Sequence, residues 1–135
     1  MSSGTEVIAG FLPTSPFVQH LGITLGGLGD GEAVLHLPFR AEVVTVGSVV
    51  HGGAVATLID TAGMAASWAG AEAPENLRGS TVGMTVTYLS AASETDLTAT
   101  ARVLKRGRSL VYVDVEVTDA SGEGVAKGVV TYKLG

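Results

Sequence analysis

Four stretches in the second half of the chain alternate apolar and polar residues with a period of two. From Thr81 to Leu89, Val82, Met84, Val86 and Tyr88 alternate with Thr81, Gly83, Thr85 and Thr87. From Leu97 to Leu104 the apolar set is Leu97, Ala99, Ala101 and Val103; from Leu110 to Thr118 it is Val111, Val113, Val115 and Val117. Val125 to Leu134 follows the turn Ala120-Ser121-Gly122-Glu123-Gly124. This period places alternate side chains on one buried face, so the pattern predicts four strands joined by hairpins. Two more strands are predicted nearer the N-terminus, Leu21 to Leu28 and Glu32 to Leu37, joined at Gly29-Asp30-Gly31. Glu6 to Leu21 reads as helix in two pieces split by Pro13 and Pro16, and Phe39 to Val50 as irregular. Gly52 to about Gly70 carries Ala, Val, Leu, Ile, Met and Trp on nearly all sides, which predicts a buried helix. The order predicts an α+β fold: an antiparallel sheet of about five to six strands wrapped around one long central helix.

The 135 residues predict a single domain over 1–135, with 1–20 as an N-terminal helical segment. Hydrophobic residues make up 46% of the chain and charged residues 16%, a balance that predicts apolar surface covered by a second subunit. A net charge of −5 argues against a nucleic-acid partner. No apolar run reaches about 18 residues, so no membrane span is expected. Met1 to Glu6 lacks a basic leader. The chain has no cysteine, which removes disulfides, thiolate metal sites and a Cys nucleophile from consideration. A cytoplasmic protein is expected. No metal is expected either, since His20 and His36 look incidental and no His–carboxylate cluster stands out.

One residue breaks the apolar character of the predicted central helix. Asp60 is the only formally charged residue between Glu42 and Glu72. A carboxylate in such surroundings is costly unless it is paired or used. It can act as a general base on water or attack an acyl carbon directly; the competing reading is a helix acid paired with a backbone group or an arginine. Nine residues upstream, His51-Gly52-Gly53 stands at the predicted helix start. A helix N-terminus there presents unpaired N–H groups that can stabilise an oxyanion, whereas a tight turn would need glycine for its backbone alone. His51 is more readily an orienting group for this loop than a reacting one. Gly52 and Asp60 are eight residues apart, roughly 12 Å at about 1.5 Å per residue, so one reacting carbon cannot meet both on one helix. Two antiparallel copies of the helix across a two-fold axis can bring Gly52 of one subunit to Asp60 of the other, which predicts shared sites in a homodimer.

His51-Gly52-Gly53, an acid eight residues later on a buried helix, and a Thr-rich strand ending in Tyr88-Leu89-Ser90 together resemble the hotdog-fold acyl-CoA thioesterases, in particular the PaaI-like (phenylacetate-pathway) branch. The resemblance runs from about Pro16 to Leu134. It implies a thioester hydrolase acting on an acyl-CoA, with coenzyme A as part of the substrate and no separate cofactor. It implies Asp60 as base or nucleophile, the Gly52 N–H as oxyanion donor and Thr81 as the hydroxyl beside the acid. Thr45 stands where such proteins carry Asn or Gln against the thioester oxygen, and Gly83 where many carry an acid. Gly53 and Met64 fall on the substrate side. Arg102, Lys105, Arg106 and Arg108 cluster around a turn at Gly107; the resemblance puts this turn near the nucleotide and assigns Arg106 or Arg108 to its phosphates. A homodimer further paired into a homotetramer is expected. Two alternatives stay open: a hotdog hydratase or dehydratase, for which no hydration motif is found, and a non-catalytic acyl-CoA-binding module, which would have no use for Asp60.

Overall fold

The computed structural model describes residues 2–135. Helix α1 (Ser3–Phe11) is capped by the Ser2 hydroxyl, which accepts from the Thr5 N–H at 3.1 Å. A 3₁₀ turn (Leu12–Thr14) and α2 (Pro16–Leu21) follow, the break falling at the two prolines. The strands are β1 (Thr24–Gly29), β2 (Glu32–Leu37), β3 (Val44–Val46), β4 (Val49–Val50), β5 (Gly79–Tyr88), β6 (Leu97–Arg106), β7 (Leu110–Thr118) and β8 (Gly124–Leu134). The long helix α3 (Gly52–Trp68) lies between β4 and β5. Six strands form one antiparallel sheet in the order β1-β2-β6-β7-β8-β5, and its inner face packs on α3. This is the expected sheet around a single helix. The segment read as irregular holds the short β3–β4 hairpin.

The core is the contact between α3 and the sheet. Leu58, Ile59, Ala62, Ala65 and Ala66 are fully buried against Leu35, Leu97, Ala99, Val113, Val115 and Val130. Small residues set how closely the two layers approach. A Cβ on Gly63 would stand 2.7 Å from the Val130 Cβ, and one on Gly128 2.6 Å from the Ile59 Cγ2. Either substitution would push helix and sheet apart and open voids on both sides. The helix's hydroxyls are absorbed locally: Thr61 donates to the Thr57 carbonyl at 2.7 Å and Ser67 to the Gly63 carbonyl at 2.7 Å.

Two expectations are corrected. The central helix is not covered on every side: Gly53, Ala56, Thr57, Asp60 and Met64 stay partly or fully exposed along one stripe. The β5 alternation also does not mark an inner face. Val82, Met84 and Tyr88 are 54%, 40% and 53% exposed. β5 pairs only with β8 and forms the sheet's edge, and a bulge between Thr81 and Gly83 shifts its register. The backbone N–H and C=O groups of alternate residues on its free side are therefore unpaired among the described residues of the chain.

Candidate active site

His51 is the N-cap of α3, and its ring does the capping. Nδ1 accepts from the Gly53 N–H at 2.7 Å, so that ring nitrogen carries no proton. The His51 backbone N–H donates to the Val43 carbonyl at 2.7 Å, and the His51 carbonyl accepts from Ala54 and Val55 at 2.9 and 3.2 Å. With Gly53 engaged, the Gly52 N–H is left without an acceptor among the described residues. It opens at the positive end of the helix dipole, where a developing negative charge is favoured.

Asp60 lies a little over two turns further along and is half-buried. Its Oδ1 accepts from the Thr81 hydroxyl at 2.6 Å. Among the described residues no basic side chain comes within salt-bridge distance of it. Within one chain Asp60 therefore has no arginine partner among the described residues. Thr81 gets there because β5 runs beside α3 with Thr81 opposite Tyr132 of β8. The Thr81 oxygen, having donated its proton, keeps lone pairs free to accept from a water that Asp60 can deprotonate.

Next to this pair lies a cavity of about 160 Å³ whose walls include Val7, Phe11, Met64, Trp68, Leu77 and Tyr132. Met64 follows Asp60 by one turn on the same helix face. At the cavity wall the Trp68 indole N–H donates to the Tyr132 hydroxyl at 2.9 Å. Burial pushes the Tyr132 phenol above its ordinary range; the Trp68 hydrogen bond opposes this, and the nearby Asp60 charge adds to it. Its proton is therefore firmly held and available to donate.

The remaining expected residues are dispersed. Thr45 is exposed on the β3–β4 hairpin, next to the start of α3 and not beside Asp60. Arg106 is exposed and lines the same groove as Arg108, but it also has a structural partner. Its guanidinium donates to the carbonyls of Ser67 at 2.7 Å, Ala69 at 2.8 Å and Ala66 at 3.4 Å, closing the C-terminus of α3. A cation on those orphan carbonyls does the work that a C-terminal glycine often does elsewhere. Arg108 is exposed at the same turn, lining a groove with Glu72, Pro74 and Ser109, and forms no ion pair among the described residues. Within one chain, then, the fold joins Asp60 with Thr81 and His51 with Gly53, while Gly52 and Asp60 remain on separate turns of α3.

Two features were not found from the sequence. Tyr88 donates its hydroxyl to the Gly52 carbonyl at 2.7 Å, and Trp68 meets Tyr132 across 64 positions. Tyr88 had looked like one more core residue of an alternating strand, and nothing local marks which helix end it reaches.

The family profile described as "Thioesterase superfamily" matches residues 47–126, which span α3 and β5 to the start of β8. Human acyl-coenzyme A thioesterase 13 is 34% identical over 134 residues, covering 96% of this chain and 93% of its own length. Zebrafish thioesterase superfamily member 2 superposes with a TM-score of 0.79 at 30% identity, covering 100% of this chain and 99% of that one. The fold alone is shared with the Escherichia coli PaaI protein of the phenylacetic acid degradation operon, with a TM-score of 0.83 at 23% identity over 98% of this chain and 94% of that one.

Proposed function

The chain belongs to the thioesterase superfamily, and on that premise we propose that it hydrolyses the thioester of an acyl-coenzyme A, water and R–CO–S–CoA giving R–COOH and free CoA–SH. One observation carries the reading: a carboxylate free of any cation, held by the Thr81 hydroxyl at 2.6 Å beside an apolar cavity. Asp60 takes a proton from the water that Thr81 helps hold. The water oxygen attacks the thioester carbon, and the carbonyl oxygen becomes an oxyanion facing the Gly52 N–H. Collapse expels the thiolate, which takes up a proton to leave as CoA–SH. Water is the only co-reactant, and no redox change occurs in this step.

The Gly52 in question belongs to a second subunit. The eight-residue separation along α3 supports this, and two surfaces favour such a homodimer: the uncovered stripe Gly53, Thr57, Asp60 and Met64 on α3, and the unpaired edge of β5 with exposed Val82 and Met84. Pairing of these dimers into a homotetramer is part of the same reading. The chain works as one domain, with residues 1–20 walling the acyl cavity through Val7 and Phe11. Arg108 and Lys105 are assigned to the CoA phosphates ahead of Arg106, which is equally exposed but has its guanidinium engaged on the end of α3. A cytoplasmic location is part of the same reading.

Thiol release measured over a panel of benzoyl-, phenylacetyl-, hexanoyl- and palmitoyl-CoA tests the reading. Thiol release from one or more of these substrates is expected. No thiol release from any of them would overturn it in favour of a binding module.

A further inference from the structure

We propose that Tyr88 is a positioning residue for the oxyanion donor: by holding the peptide plane that follows Gly52 it limits the φ/ψ rotation through which the Gly52 N–H could turn. The proposal rests on the oxyanion role of that N–H given above.

The first turn of α3 is built from two successive glycines, the residues least able to hold a helical backbone by themselves. The Gly52 N–H lies in the peptide plane before its α-carbon, and that plane can turn relative to the next one about the glycine's φ and ψ. The plane before is held at its carbonyl end, where the His51 carbonyl accepts from Ala54 and Val55 at 2.9 and 3.2 Å. The plane after it is gripped at both ends. Its N–H, that of Gly53, donates to His51 Nδ1 at 2.7 Å, and its carbonyl, that of Gly52, accepts from the Tyr88 hydroxyl at 2.7 Å. The Tyr88 ring adds a steric constraint. Its Cε1, Cζ and hydroxyl oxygen would each stand 3.4 Å from a Cβ placed on Gly52, so the ring lies directly against the glycine.

The core makes no demand for a tyrosine here. Tyr88 ends an edge strand, is 53% exposed, and its hydroxyl has Gly52 as its recorded partner. Hydroxyl and ring both bear on the one residue whose N–H is left free. A donor preset in this way needs no reorganisation as charge develops on the thioester oxygen.

Tyr88→Phe keeps the ring and deletes only the hydroxyl. Its kcat is expected to fall on the order of 3- to 10-fold, the factor that one neutral hydrogen bond represents, with KM within about twofold. An unchanged kcat overturns the proposal. So does a loss confined to KM, which would make Tyr88 a contact to coenzyme A. A fall in Tm of more than about 5 °C, which would mark a general structural role, also overturns it. The infrared carbonyl stretch of benzoyl-CoA bound to Asp60→Asn separates this proposal from the reading beneath it. With Tyr88 present, the bound stretch is expected below its value in free benzoyl-CoA, and Asp60→Asn/Tyr88→Phe is expected to move it back toward that value. An equal shift in both proteins overturns the role of Tyr88 and leaves the oxyanion donor standing; no shift in either overturns the donor itself.

Discussion

Replacing Asp60 by Asn removes a charge and almost nothing else. The amide oxygen can still accept from the Thr81 hydroxyl at the 2.6 Å position, the side chain has nearly the same shape, and no cation loses a partner. The perturbation therefore falls on proton abstraction. A general base contributes on the order of 10²–10⁴-fold, and we expect kcat to drop by at least about 10²–10³-fold, some 2.7–4 kcal/mol of transition-state stabilisation. Two effects on stability oppose each other. A hydrogen bond to a charged acceptor becomes one to a neutral acceptor, a loss of about 1 kcal/mol, while a half-buried carboxylate no longer has to be desolvated. Tm is expected to move by no more than about 3–5 °C, roughly the shift 1 kcal/mol produces in a domain of this size. Thiol release gives the rate, and calorimetric titration with a non-hydrolysable benzoyl-CoA thioether gives the affinity, which should persist because Gly52 and the cavity are untouched. Turnover near the wild-type value in Asp60→Asn would refute the mechanism. Loss of the folded state would instead show that the charge holds the structure together.

The two arginines of the basic turn should separate cleanly. Arg108→Ala should raise KM for acyl-CoA by roughly 10-fold and spare a pantetheine thioester, whereas Arg106→Ala should leave KM nearly unchanged and lower Tm, since it strips the cap from α3; equal damage to both substrates by Arg108→Ala would contradict the phosphate role. Arg substitutions at Val82 and Met84 on the free edge of β5 should give inactive monomers by sedimentation, and an active monomer would contradict the shared site. Because burial raises the Tyr132 pKa, the folded state holds that proton more tightly than the unfolded chain. The resulting stability is complete below the unfolded value of about 10 and is lost as pH rises through the folded value, so Tm should fall above pH 10, and less steeply in Tyr132→Phe.

Strand periodicity and helix content were legible in the chain because each is a local property. A period of two or a continuous apolar run states which faces meet a core, whatever that core is, and β6, β7, β8 and α3 follow those runs within a few residues. Asp60 was legible for the same reason, as a charge standing alone among apolar neighbours, and the family resemblance supplied Thr81 as its companion. Tertiary structure decided everything that depends on which segments end up adjacent. The alternation in β5 reads like that of an inner strand, and only the sheet order makes it an exposed edge with a bulge. Arg106 belongs to a basic run along the chain but is spent on the end of α3, because the return of β6 past that end sets its donors against three carbonyls. Tyr88 reaches Gly52 across 36 positions, and Tyr132 reaches Trp68 across 64. Side-chain pairing over such distances is fixed by strand register and helix–sheet packing. A shift of one residue in β5 would turn Thr81 and Tyr88 to the opposite face, and no local pattern of polar and apolar residues records that choice.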